Sequence, residues 1–571
     1  MTKKIIKRCT ENLPVLEKNL HPLLQRIYAA RGISSTKELE RGLEHLLPFH
    51  NLSGMDEAVR CLYAAILEQQ NILIVGDFDA DGATSTAVAI HALRAFGATS
   101  VNYLVPNRFA FGYGLTPELV DVAKDMHPHL IVTVDNGIAS LAGVDAAKKA
   151  GIKVIITDHH LSGDTLPLAD AIVNPNQPGD VFASKHLAGV GVIFYVMLAL
   201  RRYLSEQDYF QKNNIAEPNM SRWLDLVALG TVADVVSLDH NNRILVHQGL
   251  RRIRSGQCVP GITALLEISN RNQARVMASD LGFAVAPRLN AAGRLDDMSL
   301  GIECLLAHDI TSAREMAATL TQLNEDRRVI EQDMQLDALE ILKKIQTTVE
   351  RKGVCLFDET WHQGVIGILA GRLKERLHRP VIAFALSHTG DLKGSARSIP
   401  GVHIRDVLAE IAVRYPTLMD KFGGHAMAAG LTLPRAHFES FSQVFNEIVS
   451  EKVSEMDLEH TLLSDGELMP DELSLESAEL LREAGPFGQS FPEPLFDGRF
   501  QLLEQRLVGG RHLKLTLGGL EQTIPAIAFN IDMNRWPDYH CDQVNIAYRL
   551  DVNEYRGKRS VQLIVEHIEP A

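Results

Sequence analysis

The sequence predicts an α/β protein: a parallel-sheet domain joined by a long helix to a second α/β domain, with a small antiparallel β-barrel at the C-terminal end. Three observations carry this expectation. Residues 70 to 175 alternate short apolar runs with helical patterns. From Ser312 onward, apolar residues recur at helical spacing over about 35 positions. From about residue 497 the text changes to period-2 runs separated by Gly, Asn and Asp. A chain of 571 residues has room for three or four folding units with sizeable cores.

In the first stretch, NILIVGDFDADG, HLIVTVDNG and IKVIITDHH read as buried parallel strands, each ending in acidic or His residues. Ligands of such sheets bind off the carboxyl ends of the strands, so these terminal residues are expected to converge in one crevice. A more helical pattern continues to about 300, and a first domain with an N-terminal extension is expected over 1–310. Ser312 and Glu315 form a capping-box pattern that opens a connecting helix over 311–350. A second α/β domain over 351–455 has strands near GVCLFD and PVIAFA and a Gly-rich finish, FGGHAMAAGLTL. An acidic linker follows, and RHLKLTL, IPAIAFN, VNIAYRLDV and SVQLIVEHI build the barrel within 466–571.

Composition narrows the function classes. Hydrophobic residues make up 46% and charged residues 22%, which excludes a disordered or fibrous chain. The six cysteines include no CxxC pair, so neither a zinc knuckle nor a disulfide framework is expected, and a reducing cytoplasm fits. The opening MTKKIIKRCTENLP has no apolar core, and the longest oily run, residues 187 to 200, is too short to span a bilayer, so no membrane partner is expected. The net charge of −14 speaks against nucleic acid, but residues 451 to 500 hold 13 acidic against 3 basic residues and account for ten of those charges. A basic groove elsewhere remains compatible with a phosphate backbone.

GDFDADG places Asp77, Asp79 and Asp81 at alternate positions just past a strand. Crowded carboxylates repel unless cations neutralise them, and hard divalent ions prefer oxygen ligands. A calcium loop is the rival, but the late Glu of an EF-hand is absent and Gly82 opens a helix. Asp135 in VTVDNG, Asp158-His159-His160 in ITDHH and Asp234 in LGTVADVV add further candidates after apolar strands or at a helix end.

GDFDADGATSTA, VTVDNGI, TDHH, ALGTVADVV and PRLNAAGR, in that order, resemble the motifs of the DHH phosphoesterase family, and WHQGVIGILAGRLKER, KGSARS and GGHAMAAG resemble its associated DHHA1 domain. The resemblance spans almost the whole chain and is strongest to the family's single-strand DNA exonucleases. It implies a metal-dependent 5′→3′ exonuclease that degrades single-stranded DNA to mononucleotides in recombination and repair. It implies two divalent ions, Mn²⁺ or Mg²⁺, held by Asp79, Asp81, Asp135, His159 and Asp234, with Asp135 bridging and His160 facing the scissile phosphate. Asp158 is expected to orient a histidine. Phosphatase-type members carry a metal-binding His where Val75 stands, and Asp77 is the nearest substitute.

PNRFAFGYG sets Arg108 beside Phe109, Phe111 and Tyr113; Tyr113, between two glycines, is the expected base-stacking residue, whereas the phenylalanines suit packing under the sheet. KGSARS joins Ser395 and Arg397 in a composition suited to wrapping a phosphate with amides, hydroxyls and a guanidinium. The resemblance implies a 5′-phosphate pocket formed by Arg108, Ser395 and Arg397. Arg288, Asn290, Arg294 and His425 are further polar candidates for the substrate strand. The terminal barrel resembles an oligonucleotide-binding OB module, and Lys558 and Arg559 suit either backbone binding or an ordinary hairpin tip. A monomer is expected, with a single-strand-binding protein and a helicase as the partners implied. The rivals are a DHH phosphodiesterase of oligoribonucleotides or cyclic dinucleotides, whose relatives are shorter, and a non-catalytic replication scaffold, which the intact acidic set opposes.

Overall fold

The computed structural model describes residues 3–8, 16, 20–107, 111, 113–346, 351–518, 523–531, 536, 541–555 and 557–571. They fold as two compact units: a larger one of Lys7–Asn324 with Ser464–Ala571, and a smaller one of Glu325–Leu463 with the described residues up to Ile6. A single helix, Ile310–Gln346, runs from one into the other.

In the larger unit, β1 (Ile72–Val75), β2 (Val101–Leu104), β3 (Leu130–Val134), β4 (Lys153–Thr157) and β5 (Ala171–Val173) form a wholly parallel sheet in the order β2-β1-β3-β4-β5. The strands β1 and β3 are buried along their whole length, which is why they read as continuous apolar runs rather than alternating ones. The strand order reverses between β1 and β3, so the chain leaves these two neighbours in different directions and opens a crevice at their carboxyl ends. The small side chains of α1 (Ala80–Ala95) let it lie against α2 (Gly189–Glu206) and α3 (Leu224–Ala233), and nearly every residue of α1 is buried. The oily run at 187 to 200 thus becomes a core helix. Among the described residues no helix is long and apolar enough to cross a membrane.

Two local expectations are corrected. The long helix starts at Ile310, and its cap is Asp309, whose carboxylate accepts from the amides of Thr311 (2.8 Å) and Ser312 (3.0 Å); Ser312 already lies inside the first turn. An Asp three positions earlier, placed to reach two free amides, outcompetes the Ser–Glu box.

In the smaller unit, β6 (Val354–Phe357), β7 (Val381–Leu386), β8 (Leu392–Arg397), β9 (Lys421–Gly424) and β10 (Ala428–Leu433) form a mixed sheet in the order β9-β10-β8-β7-β6, covered by helices that include α4 (Ile366–Leu377). The C-terminal segment closes a barrel, β11 (Phe496–Val508), β12 (His512–Gly518), β13 (Thr523–Ala528), β14 (Gln543–Tyr555) and β15 (Lys558–Pro570), in the order β11-β12-β13-β15-β14.

The second correction concerns the acidic stretch, which is folded rather than a linker. Asp465 is buried with Arg31 in a two-pronged ion pair (2.9 and 3.1 Å), and both side chains are fully shielded from solvent. The remaining Arg31 donors reach the carbonyls of Ile27 (2.7 Å) and Pro492 (2.8 Å). Tyr28 donates to Ala484 O (2.8 Å), and Arg243 lies 4.4 Å over the Phe491 ring. Glu479 of the helix Leu475–Ala484 pairs with Arg559 at the β14–β15 hairpin, so that tip residue is tied to its own module. Acidic density is here the counterpart of arginines contributed by the N-terminal segment and the barrel.

Removing one partner of such a buried pair leaves an uncompensated charge, a loss of about 3–5 kcal/mol. Arg31→Ala is therefore expected to lower the melting temperature by several degrees, and calorimetry or a thermal melt checks it; a loss below about 1 kcal/mol would remove the pair from the account of how the barrel is anchored.

Candidate metal centre

The carboxyl end of β1 runs straight into Asp77 and Asp79, and Asp79 caps α1 by accepting from the amides of Asp81 (2.9 Å) and Gly82 (3.0 Å). The adjacent β3 ends in Asp135, β4 ends in Asp158, His159 and His160, and α3 ends at Asp234. Their ligand atoms meet. Asp77, Asp79 and Asp135 form one group, Asp81, His159 and Asp234 a second, and Asp135, His159 and His160 a third, each with its atoms within 4.8 Å of one another. His159 Nε2 lies 3.1 Å from Asp135 Oδ1 and 3.5 Å from Asp234 Oδ2, so the groups are contiguous.

Each member is held from behind. Both oxygens of Asp81 accept amides at the start of α2, Gly189 N (2.6 Å) and Val190 N (3.0 Å), a helix N-terminus that favours the anion. Gly189 must be glycine for that approach, since a Cβ there would stand 2.5 Å from Asp135 Cβ and 2.8 Å from its Cα. Asp158 Oδ1 accepts from the amides of His159 (2.7 Å) and His160 (3.1 Å) and lies 2.7 Å from His160 Nδ1, while Oδ2 accepts Ile138 N (2.9 Å). Asn176 donates to His159 O (2.6 Å) and Asn174 to His160 O (2.9 Å). Asn136 ties β1 to β3 through Val75 O (3.0 Å) and Val134 O (2.9 Å). Asp135 and Val235, the residue after Asp234, both take left-handed backbone, φ +62°, a conformation that persists only where the surroundings fix it.

Burial, then the nearby charges of Asp234 and Asp79, hold the Asp81 carboxyl well above the ordinary carboxylate range. Burial followed by Asp81 and Asp79 does the same to Asp135. His159 is pushed down by burial. Burial alone would also lower His160, but the hydrogen bond and charge of Asp158 outweigh it and lift it to about 9. Asp135 Oδ1 and His159 Nε2, buried and 3.1 Å apart, are not aligned to hydrogen-bond each other and make no hydrogen bond to another described residue. Carboxylate and imidazole donors, crowded beyond what they can ionise together and offering buried lone pairs, fit divalent cations, whose charge relieves the repulsion.

The structure brings together Asp77, Asp79, Asp81, Asp135, Asp158, His159, His160 and Asp234. Val75 is fully buried in β1, while Asp77 stands beside Asp79 and Asp135. Tyr113 joins them: its hydroxyl is 3.1 Å from Asp135 O and 3.1 Å from His160 Nδ1. Asn290 also reaches this region, accepting Ala80 N (2.7 Å), so it braces the Asp79 turn. Arg288 is engaged by Thr321 Oγ1 (3.0 Å) and Ala284 O (2.6 Å), and Arg294 is half-buried on the helix Ala286–Leu295. Arg108 and Phe109 lie outside the described residues, and Phe111 is half-buried against the sheet cluster.

The smaller unit carries Ser395, Arg397 and His425. KGSARS is not a wrapping loop: its first five residues lie on β8, paired on both sides, so their amides serve the sheet. Ser395 and Arg397 share one face, with Arg397 Nη1 3.2 Å from Ser395 Oγ, and Ser398 is buried and donates to Val402 O. A Cβ on Gly367, in the first turn of α4, would stand 3.0 Å from both Ser395 Oγ and Arg397 Nη2, which brings a helix N-terminus to that face. His425 is exposed between β9 and β10. Asn174 and Asn176 escaped the sequence reading, although NPN also follows a strand; the Gly189 and Val190 amides have no side-chain signature to find.

The DHH family N-terminal domain model matches residues 71–231, the DHHA1 domain model 335–451 and the RecJ OB domain model 464–567. The single-stranded-DNA-specific exonuclease RecJ of Salmonella typhimurium is 56% identical over 100% of this chain and 99% of its own. The chain belongs to the RecJ family. The RecJ of Haemophilus influenzae is 50% identical over 100% of this chain and 99% of its own. The RecJ family fold is also that of the Thermus thermophilus RecJ crystallised with Mn²⁺, which matches with a TM-score of 0.79 and 29% identity over 96% of this chain and 76% of that one. The same protein crystallised with Mg²⁺ matches with a TM-score of 0.74 and 28% identity, over 96% and 75%.

Asp158 touches four donors, and an Asn in its place would turn an amide towards one of them. Asp158→Asn is expected to destabilise the unit by about 1–3 kcal/mol and to lower turnover of a phosphodiester substrate at least about tenfold, as melting and steady-state kinetics would read; unchanged turnover would remove Asp158 as the support of the histidine pair.

Proposed function

We propose that this chain is a metal-dependent exonuclease that removes mononucleotides from the 5′ end of single-stranded DNA. The observation that carries the reading is the contiguous set of buried carboxylates and imidazole at the switch point of the sheet, in a chain 56% identical to a single-stranded-DNA-specific exonuclease. Asp77, Asp79 and Asp135 would hold one divalent ion and Asp81, His159 and Asp234 a second, with Asp135 and His159 as the contact between the two groups. Bound there, Mn²⁺ or Mg²⁺ would make water a nucleophile near neutral pH and neutralise charge growing on the phosphate oxygens. The chain's own groups do the rest. Asp158, 2.7 Å from His160 Nδ1, sets the ring plane of His160 beside the acidic set, where the imidazole would face the scissile phosphate. The Gly189 and Val190 amides fix Asp81, so its carboxylate need not reorganise during turnover.

Ser395 and Arg397, beside the first turn of α4, offer a hydroxyl, a guanidinium and a helix N-terminus, the donor set of a phosphate site, and we assign them the 5′-terminal phosphate. The barrel would add affinity for the strand. A single-strand-binding protein and an unwinding helicase are the partners such an enzyme would work with, since one coats its substrate and the other supplies it.

End-labelled single-stranded and duplex DNA, incubated with Mn²⁺ or with EDTA, test the reading. Single strands should be shortened from the 5′ end with Mn²⁺ only, and Asp135→Ala should abolish this while leaving the melting curve intact. Equal loss of duplex, or activity that survives EDTA, would overturn it. Arg397→Ala should reduce activity on 5′-phosphorylated strands about ten- to a hundredfold more than on 5′-hydroxyl strands, the contribution of one charge-assisted contact. Equal losses on the two substrates would mean that Arg397 does not read the terminal phosphate.

A further inference from the structure

Tyr113 is expected from its sequence setting to act through its ring, but its hydroxyl is the better-placed group. The oxygen lies 3.1 Å from the carbonyl oxygen of Asp135 and 3.1 Å from His160 Nδ1. A phenol has one proton to give, and His160 Nδ1 already shares its own with Asp158 at 2.7 Å. His160 Nε2, 3.4 Å from the hydroxyl, is the more distant acceptor, and the hydroxyl donates to the nearer Asp135 carbonyl. That carbonyl belongs to a residue in left-handed backbone, where an aspartate stays only if its neighbours hold it. From the other side, the Asp135 amide donates to Thr157 O at 3.0 Å, so the peptide units flanking this residue are pinned at both ends, one by β4 and one by Tyr113.

The ring itself is steadied by what surrounds it. It meets Phe78 edge-on at 6.1 Å and His160 edge-on at 5.7 Å, and both neighbours come from the motifs that carry the acidic set. The next residues are anchored too: Leu115 N donates to Ser140 Oγ at 3.1 Å, on the turn that leaves Asp135. Tyr113 is 46% exposed, and its two edge-on contacts leave the hydroxyl on the side of the acidic set.

We propose that Tyr113 is a positioning residue of the metal centre, its hydroxyl fixing the Asp135 backbone and thereby the direction of the shared carboxylate. This rests on the reading of Asp135 as a cation ligand. A stacking role for the ring would leave the hydroxyl dispensable; a positioning role makes it the part that matters.

The full-length protein is stripped of metal and titrated with Mn²⁺, following the loss of the free-ion EPR signal, for wild type, Tyr113→Phe, Tyr113→Ala and Asp135→Asn. Turnover of single-stranded DNA is then measured across Mn²⁺ concentrations. Outer supports of metal ligands change affinity about 10–100-fold when removed, so Tyr113→Phe should bind Mn²⁺ at least about tenfold more weakly. Its kcat should fall at low Mn²⁺ and recover at high Mn²⁺, with KM for the strand and the melting curve of the metal-free protein unchanged. A Phe variant that matches wild type in Mn²⁺ binding and kcat, while Asp135→Asn loses Mn²⁺, would overturn the positioning role and leave the ligand reading intact. Mn²⁺ binding unchanged by Asp135→Asn would refute the ligand reading itself and the proposal with it. A Phe variant whose only change is a higher KM would assign Tyr113 to the strand and overturn the proposal as well.

Discussion

Mutual repulsion among buried carboxylates is the constraint around which the larger unit is organised. Asp77, Asp81 and Asp135 are almost wholly removed from water, with Asp79 and Asp234 close by. Burial and mutual repulsion raise the Asp81 and Asp135 carboxyls well above the ordinary range, so their charged forms need support. The protein answers with backbone amides: the first turn of α1 supports Asp79, the first turn of α2 supports Asp81, and the Ile138, His159 and His160 amides support Asp158. What the amides leave uncompensated is the charge that a pair of divalent cations supplies, and the oxygen-rich donor set with one imidazole suits them.

That requirement explains the packing beneath the site. Helix α1 is made of small residues because α2 and α3 must come close enough to bring Gly189 and Asp234 to the carboxyl ends of β1 and β3. At Gly230 of α3 a Cβ would stand 2.2 Å from Thr84 Oγ1 and 2.8 Å from Asp81 Oδ1, so the helix carrying Asp234 has no room for a side chain at that contact. Composition that looks like loose helix propensity is in fact a limit on interhelix distance.

The negative charge of the chain has a different origin from that of the site. Most of it sits in the segment before the barrel, where Asp465, Glu472 and Glu479 meet Arg31, Arg26 and Arg559. Those carboxylates stabilise the attachment of the barrel within the larger unit, through one fully buried pair and several exposed ones of smaller weight. An acidic chain is therefore compatible with a phosphodiester substrate, because most of its excess charge lies in that one segment.

The parallel sheet and its convergent acidic residues were legible in the sequence because both are local: a buried strand must be an apolar run, and the residue after it must point into the crevice. The order of the motifs carried the family for the same reason. Partners distant in sequence were not legible. Asp309 took the cap from Ser312 because it was nearer two free amides; KGSARS became a strand because β7 and β10 flank it; and the acidic stretch folded because Arg31, more than 400 residues earlier, lies against it. The hydroxyl of Tyr113 and the amides of α2 likewise gained their places through contacts across the fold. Local sequence determined which groups the chain offers at the end of each strand; the tertiary structure alone decided which of them meet, since hydrogen bonds and burial depend on distance in space and not along the chain.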